Sequence, residues 1–142
     1  MGDSIKQLLH KLSERTILAL TLYGEARGEG YNGMYAVGCV VLNRVEQRSW
    51  YGKTVKEVCL KWYQFSCWNE ADPNFQKLIM FDRFDPLFET AFMIAGDVLD
   101  NKFGDPTNGA DHYLHENIEH LTGWTAKMTK TAHIGVHCFY KA

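Results

Sequence analysis

The sequence predicts an α+β domain that is mainly helical, and three features carry that expectation. Apolar residues recur at three- and four-residue spacing through most of the chain. Asp72-Pro73 and Asp85-Pro86 each place a capping residue before a proline at a first helical position. Alternation with a period of two is confined to the stretch from Ala132 to Tyr140, where a small β element is expected. The 142 residues fit one domain, spanning 1–142, long enough to bury roughly two-thirds of the surface of the unfolded chain.

The elements follow in order. Ile5, Leu8, Leu9 and Leu12 form an apolar stripe on a first helix that Asp3 or Ser4 can cap, and Ser13 marks a restart. A second helix carries Ile17, Leu18, Leu20, Leu22 and Tyr23 and runs to Arg27. Asn32-Gly33 opens a third, which continues to Arg48; its run from Ala36 to Leu42 is β-branched and apolar on nearly all sides, but the segment is too long for an average strand. A buried helix is therefore expected, with Gly38 allowing close packing. Thr54 and Glu57 have the spacing of a capping box for a short helix ending near Trp62. Gln64 to Asn69 lacks periodicity and reads as a loop lining a cleft. Two helices follow the Asp-Pro pairs, the second with a stripe of Phe88, Ala91, Phe92, Ala95, Val98 and Leu99. The Gly, Pro and Asn content of 101–110 gives a loop, after which 112–114 and 132–140 are extended.

Charge and composition exclude several partners. A net charge of −2 and an isoelectric point near 6.3 argue against a nucleic-acid-binding surface. No apolar run reaches the length of a membrane span, and Asp3, Ser4, Lys6, Gln7 and His10 leave no apolar signal core. Synthesis in a cytoplasm without a signal peptide is expected, with no stable membrane insertion. Cys39, Cys59, Cys67 and Cys138 form no paired motif and read as small buried hydrophobes.

The chemistry concentrates in Tyr23-Gly24-Glu25-Ala26-Arg27-Gly28-Glu29-Gly30. Gly28 and Gly30 supply the tight or left-handed backbone that ends a helix, which puts Glu25 in the last turn, on the face of Leu18 and Leu22. A helix C-terminus disfavours an ionised carboxylate by roughly 0.3–1 kcal/mol, and burial among Leu18, Leu22 and Tyr23 would add to that. Together these favour a neutral acid able to protonate a leaving-group oxygen. A solvated glutamate at a helix end is the plain alternative. Glu29 lies past the turn, where it holds Arg27 or the loop backbone in place or shares in proton transfer.

Two other constellations are weaker. His112, His115, His120, His133 and His137, with Asp111 and Glu116, suggest zinc by composition. If His133 and His137 share one strand, however, they stand about 13 Å apart, too far for one ion. The glycines at 24, 28 and 30 follow a helix, whereas a phosphate-binding loop precedes one.

Five segments carry a family resemblance: GEARGE at Gly24 to Glu29, AVGCVVLNRV at Ala36 to Val45, QFSCW at Gln64 to Trp68, GADHYL at Gly109 to Leu114, and IGVHCFY at Ile134 to Tyr140. Together they resemble the SleB-type cell wall hydrolases, which include spore-cortex-lytic enzymes and related phage lysis proteins. The resemblance implies a lysozyme-like fold and a peptidoglycan lytic transglycosylase that cleaves the β-1,4 bond between N-acetylmuramic acid and N-acetylglucosamine. It makes Glu25 the single catalytic acid and base, with Gln64 and Ser66 lining the glycan groove and Tyr113 and His137 near the acid; Glu29 joins them as a substrate-binding residue. No metal and no cofactor are implied. The expected partner is the peptidoglycan glycan strand and the expected form a monomer, more like a phage endolysin than a spore enzyme, acting on the cell wall after release.

Two rival readings remain open at this level. A hydrolytic muramidase would need a second carboxylate roughly 5–5.5 Å away if retaining, or 6.5–9.5 Å if inverting, and Glu29, Glu70, Asp72 and Asp111 are the candidates. A non-catalytic glycan-binding module would stack sugars on Trp50, Trp62, Trp68 and Trp124, although core packing is favoured for Trp62.

Overall fold

The structure, a computed structural model, describes residues 2–48, 50–61 and 64–142. The expected helix cap at Asp3 or Ser4 and the placement of Trp62 fall outside the described residues and side chains. The later helices pack around one central helix, α2, which follows the short α1 (Gly2–Leu9). In α1, Leu9 is buried but Leu8 is 62% exposed, and Leu12 packs on the core from the turn beyond. The expected stripe is thus shorter than drawn, because the helix stops at Leu9.

The second helix, α2 (Glu14–Ala26), restarts at Ser13, whose hydroxyl accepts the Thr16 N–H at 3.1 Å. Ile17, Leu18, Ala19, Leu20, Thr21 and Leu22 are all fully buried, so α2 is apolar around its whole circumference, as a central helix must be. The third helix, α3 (Gly30–Gln47), α4 (Val55–Leu60), α5 (Pro73–Ile79) and α6 (Pro86–Leu99) surround it. α3 begins at Gly30, earlier than Asn32-Gly33. Of the two glycines expected to stop α2, only Gly30 takes the left-handed backbone, with φ +74°. The choice of helix over strand for Ala36 to Leu42 holds. A Cβ on Gly38 would stand 2.7 Å from a Val98 methyl, so the bare glycine lets α3 and α6 approach.

The caps are largely as read. Asp72 and Asp85 accept the Asn74 and Leu87 N–H groups, each at 2.8 Å. Thr54 accepts the Glu57 N–H at 3.1 Å, but the Glu57 carboxylate returns to the N–H of Lys53 rather than to that of Thr54, one residue outside a true capping box. On α6 the buried stripe includes Ile94, whereas Leu99 is 37% exposed at the helix end.

A three-stranded antiparallel sheet, in the order β1-β3-β2, closes one side: β1 (His112–His115), β2 (Thr129–Ile134) and β3 (His137–Lys141). The expected single extended run from Ala132 to Tyr140 is in fact a hairpin, turned at Gly135 with φ +59°. The apparent period of two misleads here because His137, Cys138, Phe139 and Tyr140 on the central strand are all buried. Phe139 packs with Ala36, Val40 and Ala110, which joins the sheet to α3; Leu114, Cys138 and Tyr140 fill the other face. His133 and His137 lie on paired strands, so the separation argued from one strand does not apply. Among the described residues no group of three His, Cys, Asp or Glu side chains is gathered to hold a metal ion, and no helix is long and apolar enough to cross a membrane. All four cysteines are buried free thiols.

Candidate active site

The last two turns of α2 present Thr21, Gly24 and Glu25 to one segment, the 3₁₀ turn Ser66–Trp68. At the first level the Trp68 indole N–H donates to the Thr21 hydroxyl at 2.9 Å, and that hydroxyl donates to the Ile17 carbonyl at 2.9 Å. At the second, Cys67 lies against Gly24 so closely that a Cβ there would stand 2.6 Å from the Cys67 Cβ. At the third, the Cys67 backbone N–H donates to Glu25 Oε2 at 3.2 Å and the Ser66 hydroxyl to the same oxygen at 3.3 Å. Gly24 is therefore what lets the turn come near enough for its donors to reach the carboxylate.

The sheet supplies the other oxygen's partner. Tyr113 on β1 donates its hydroxyl to Glu25 Oε1 at 2.7 Å. Burial, followed by the charge of Glu25, pushes the Tyr113 phenol well above its usual range, so it stays a donor. The apolar setting expected around Glu25 is only half present: Leu18 and Leu22 are buried below it, but three donors meet the carboxyl group itself.

His137 on β3 stands beside Tyr113, edge-on with ring centroids 5.1 Å apart, and is buried with no hydrogen-bond partner for Nδ1 among the described residues. Burial lowers its pKa, the charges of Glu29 and Glu25 oppose that shift, and neighbouring His115 adds to it. Glu29 does not hold Arg27. Arg27 instead donates to the Tyr23 carbonyl at 3.1 Å and to Asn74 Oδ1 at 2.8 Å, tying the end of α2 to α5. The Glu29 side chain passes over Gly33, where a Cβ would stand 2.4 Å from its own, and reaches the β2–β3 turn, with Oε1 3.8 Å from where a Cβ on Gly135 would lie.

The structure thus brings Glu25, Ser66, Tyr113 and His137 together, with the charge of Glu29 also acting on His137. Gln64 is half-buried ahead of the turn, its N–H bonded to the Lys61 carbonyl at 3.2 Å, and among the described residues its side chain makes no hydrogen bond to Glu25. Half of the segment read as a polar and aromatic cleft lining is core: Phe65, Cys67 and Trp68 are buried, Gln64 and Asn69 are half-buried, and Ser66 is exposed. The Cys67 thiol is pushed far up by burial, so that residue contributes its backbone N–H rather than a nucleophile.

Three residues in this arrangement carried no role from the sequence. Gly24 and Thr21 are the first two; their signal is the i, i+3, i+4 spacing of 21, 24 and 25 on one helix face. The third is Arg44 of α3, 5% exposed, whose Nε–H donates to the Asp111 carbonyl at 2.8 Å while its guanidinium lies 5.0 Å from the Tyr51 and Phe65 ring centres. It joins the residue before β1 to the residue before Ser66, behind both sets of Glu25 partners.

The sequence profile of the family described as Cell Wall Hydrolase matches residues 28–140. The chain belongs to the cell wall hydrolase family. The family match begins at Gly28, so Glu25 stands just ahead of it. A spore cortex-lytic enzyme of Halalkalibacterium halodurans is 31% identical over 123 residues, which is 87% of this chain and 33% of that protein; the chain spans about a third of the length of this curated relative. The catalytic domain of the germination-specific lytic transglycosylase SleB from Bacillus anthracis has a similar structure, with a TM-score of 0.70 at 28% identity, covering 90% of this chain and 93% of that one. The SleB catalytic domain of Bacillus cereus gives a TM-score of 0.71 at 28% identity, covering 90% and 89%. Both likenesses agree with the helical, small-sheet, lysozyme-like class expected for the family.

Proposed function

We propose that this chain cleaves peptidoglycan glycan strands as a lytic transglycosylase, with Glu25 as its one catalytic residue. The observation that carries the reading is the carboxylate held by Tyr113, Ser66 and the Cys67 N–H at the end of α2. Support also comes from a structural relative, the germination-specific lytic transglycosylase SleB.

In this mechanism Glu25 gives its proton to the glycosidic oxygen, and the bond to the muramoyl C1 breaks. The carboxylate then takes the proton of the muramoyl C6 hydroxyl, whose oxygen closes on C1 to form a 1,6-anhydro ring. The Tyr113 and Cys67 donors keep the group aligned through both steps and stabilise the carboxylate between them. A tethered hydroxyl outcompetes water by an effective molarity on the order of 10⁵ M or more, so neither a second carboxylate nor a metal is required. Ser66, Tyr113, His137, Glu29 and, at the mouth, Gln64 are the proposed substrate contacts. A monomer with a phage-type lytic role completes the reading, on the strength of the sequence resemblance.

Two of the four candidate partners for the hydrolytic alternative are engaged elsewhere, which leaves Glu29 and the exposed Glu70. Asp72 caps α5, and Asp111 accepts from Gln47, His112 and the Ala142 N–H, whereas Glu29 faces His137 together with Glu25. Mass spectrometry of muropeptides released from purified sacculi separates the cases. Products ending in 1,6-anhydromuramic acid are expected; reducing-end muramic acid would make the enzyme a hydrolase. Retained binding to sacculi without any soluble product would leave only a glycan-binding module.

A further inference from the structure

A cleft of about 680 Å³, whose lining does not include Glu25, lies between the first turn of α3, the end of α6 and the loop after α6. Its size is that of a small-ligand site. The walls are aromatic. Tyr31 and Tyr35 stack with ring centroids 5.9 Å apart, and Phe103 meets both edge-on at 6.1 and 5.9 Å. Phe103 is 63% exposed and Met93 beside it 50%, so the cleft has a contiguous apolar wall rather than a lone surface ring.

The loop that presents Phe103 is fixed in place. The buried Tyr35 hydroxyl accepts the Phe103 N–H at 3.0 Å and donates to the Gly104 carbonyl at 2.9 Å, while left-handed Asn101 and Gly104 turn the chain on either side. Polar groups stand at the rim. Tyr31 donates to Asp97 Oδ2 at 2.8 Å, Lys102 lies 3.8 Å from Asp97 Oδ1, and Asn32 is exposed. The lining therefore carries one negative and one positive charge, which suits a neutral ligand with an apolar face and hydroxyl or amide groups.

Position connects this cleft to the proposed chemistry. Ile134 closes it on the sheet side, and the adjacent Gly135 meets Glu29, which shares His137 with Glu25. Resting on the proposed function, a glycan strand that crosses Glu25 and continues past Glu29 arrives here. We propose that the Tyr31–Tyr35–Phe103 cleft binds an N-acetylhexosamine unit of the strand away from the cleaved bond, with the sugar face on Phe103 and its acetamido and hydroxyl groups bonded to Asn32 and Asp97. A stem peptide, the other chemistry of the wall polymer, carries free carboxylates, and the one cation of the described lining is already shared with Asp97.

The test is a nitrogen-15 NMR titration of the Glu25→Gln chain with N,N′-diacetylchitobiose, a neutral probe that reads binding without turnover. The amides of Asn32, Lys102 and Phe103 are expected to shift together and to saturate. Phe103→Ala in the same background should weaken the affinity by about tenfold with a melting temperature within a few degrees of the parent, since the ring is 63% exposed; Asn32→Ala should weaken it less. An absence of saturable shifts at these amides, shifts confined to residues around Glu25, an affinity indifferent to Phe103→Ala, or an acidic tripeptide shifting these amides where the disaccharide does not, would each overturn the assignment. Glycan cleavage with no binding here would remove the cleft and leave the function standing, while saturable binding here in a protein that cleaves nothing would do the reverse.

Discussion

The last turn of α2 and the cap position just ahead of α3 each present a carboxylate, four residues apart in one motif, and the protein treats them differently. Glu25 accepts three hydrogen bonds, from a sheet tyrosine, a serine and a backbone N–H. Glu29 accepts none from the described residues and faces His137 and the hairpin turn through space. The difference is one of approach. Beside Glu25 the missing side chain of Gly24 admits the side chain of Cys67 and with it the Ser66–Trp68 turn; beside Glu29 the missing side chain of Gly33 only gives the glutamate room to lie along its own helix. A carboxylate fixed by surrounding donors suits proton transfer in a defined direction, and one without such bonds suits contact with a bound chain.

The sharpest way to break this comparison is Glu25→Gln. The amide keeps the shape and loses the acid, so release of muropeptides should fall by about 10²- to 10⁴-fold with the thermal midpoint close to that of the parent. Gly24→Ala should follow. Its new methyl cannot fit against Cys67, so the Ser66–Trp68 turn must move off, at a cost of about 1–3 kcal/mol in denaturant unfolding. Activity should fall by more than the loss of folded protein explains. Tyr113→Phe removes one hydrogen bond to the carboxylate, and a roughly 10- to 100-fold loss of kcat/KM is expected from the strength of bonds to charged groups.

Glu29→Gln should be mild, within about fivefold of the parent on sacculi, as for a half-exposed charge. A loss greater than that of Glu25→Gln would exchange the two roles. The smallest effect concerns His137. Its folded pKa is lowered, mainly by burial and against the charges of Glu29 and Glu25, so as the pH drops below about 6.5 the unfolded chain takes up the proton first. The stability is complete above that value and is lost as pH falls through the lowered folded value. The melting temperature should therefore drop between about pH 7.5 and 5, and drop less in His137→Gln.

Within the same motif the legible and illegible parts of the site divide along one line. Glu25 stood out because a helix pattern, a glycine-rich stop and a carboxylate occur within a few residues of one another. The role of Gly24 did not, because its reason is Cys67, far along the chain. The aromatic and polar run from Gln64 to Asn69 reads as a groove lining, and half of it is core; nothing local distinguishes Trp68 packed against Thr21 from a tryptophan waiting for a sugar. The hairpin at Gly135 was hidden because the alternation of residue types runs straight through the turn, although the central strand beyond it is buried on both faces.

What the sequence determined by itself are features whose energetics close within one or two helical turns. The Ser13, Thr54, Asp72 and Asp85 caps bond backbone N–H groups two or three residues away, and the apolar spacing of α3 and α6 declares which elements must be buried. Only the tertiary structure decided that Glu25 would be met by donors 41, 42 and 88 residues distant, that Arg44 would join the two segments supplying them, and that Phe103 would be held out over a cleft by Tyr35. Such contacts depend on how closely separate elements approach, and that distance is set by the packing of the whole core, which no local run of residues specifies.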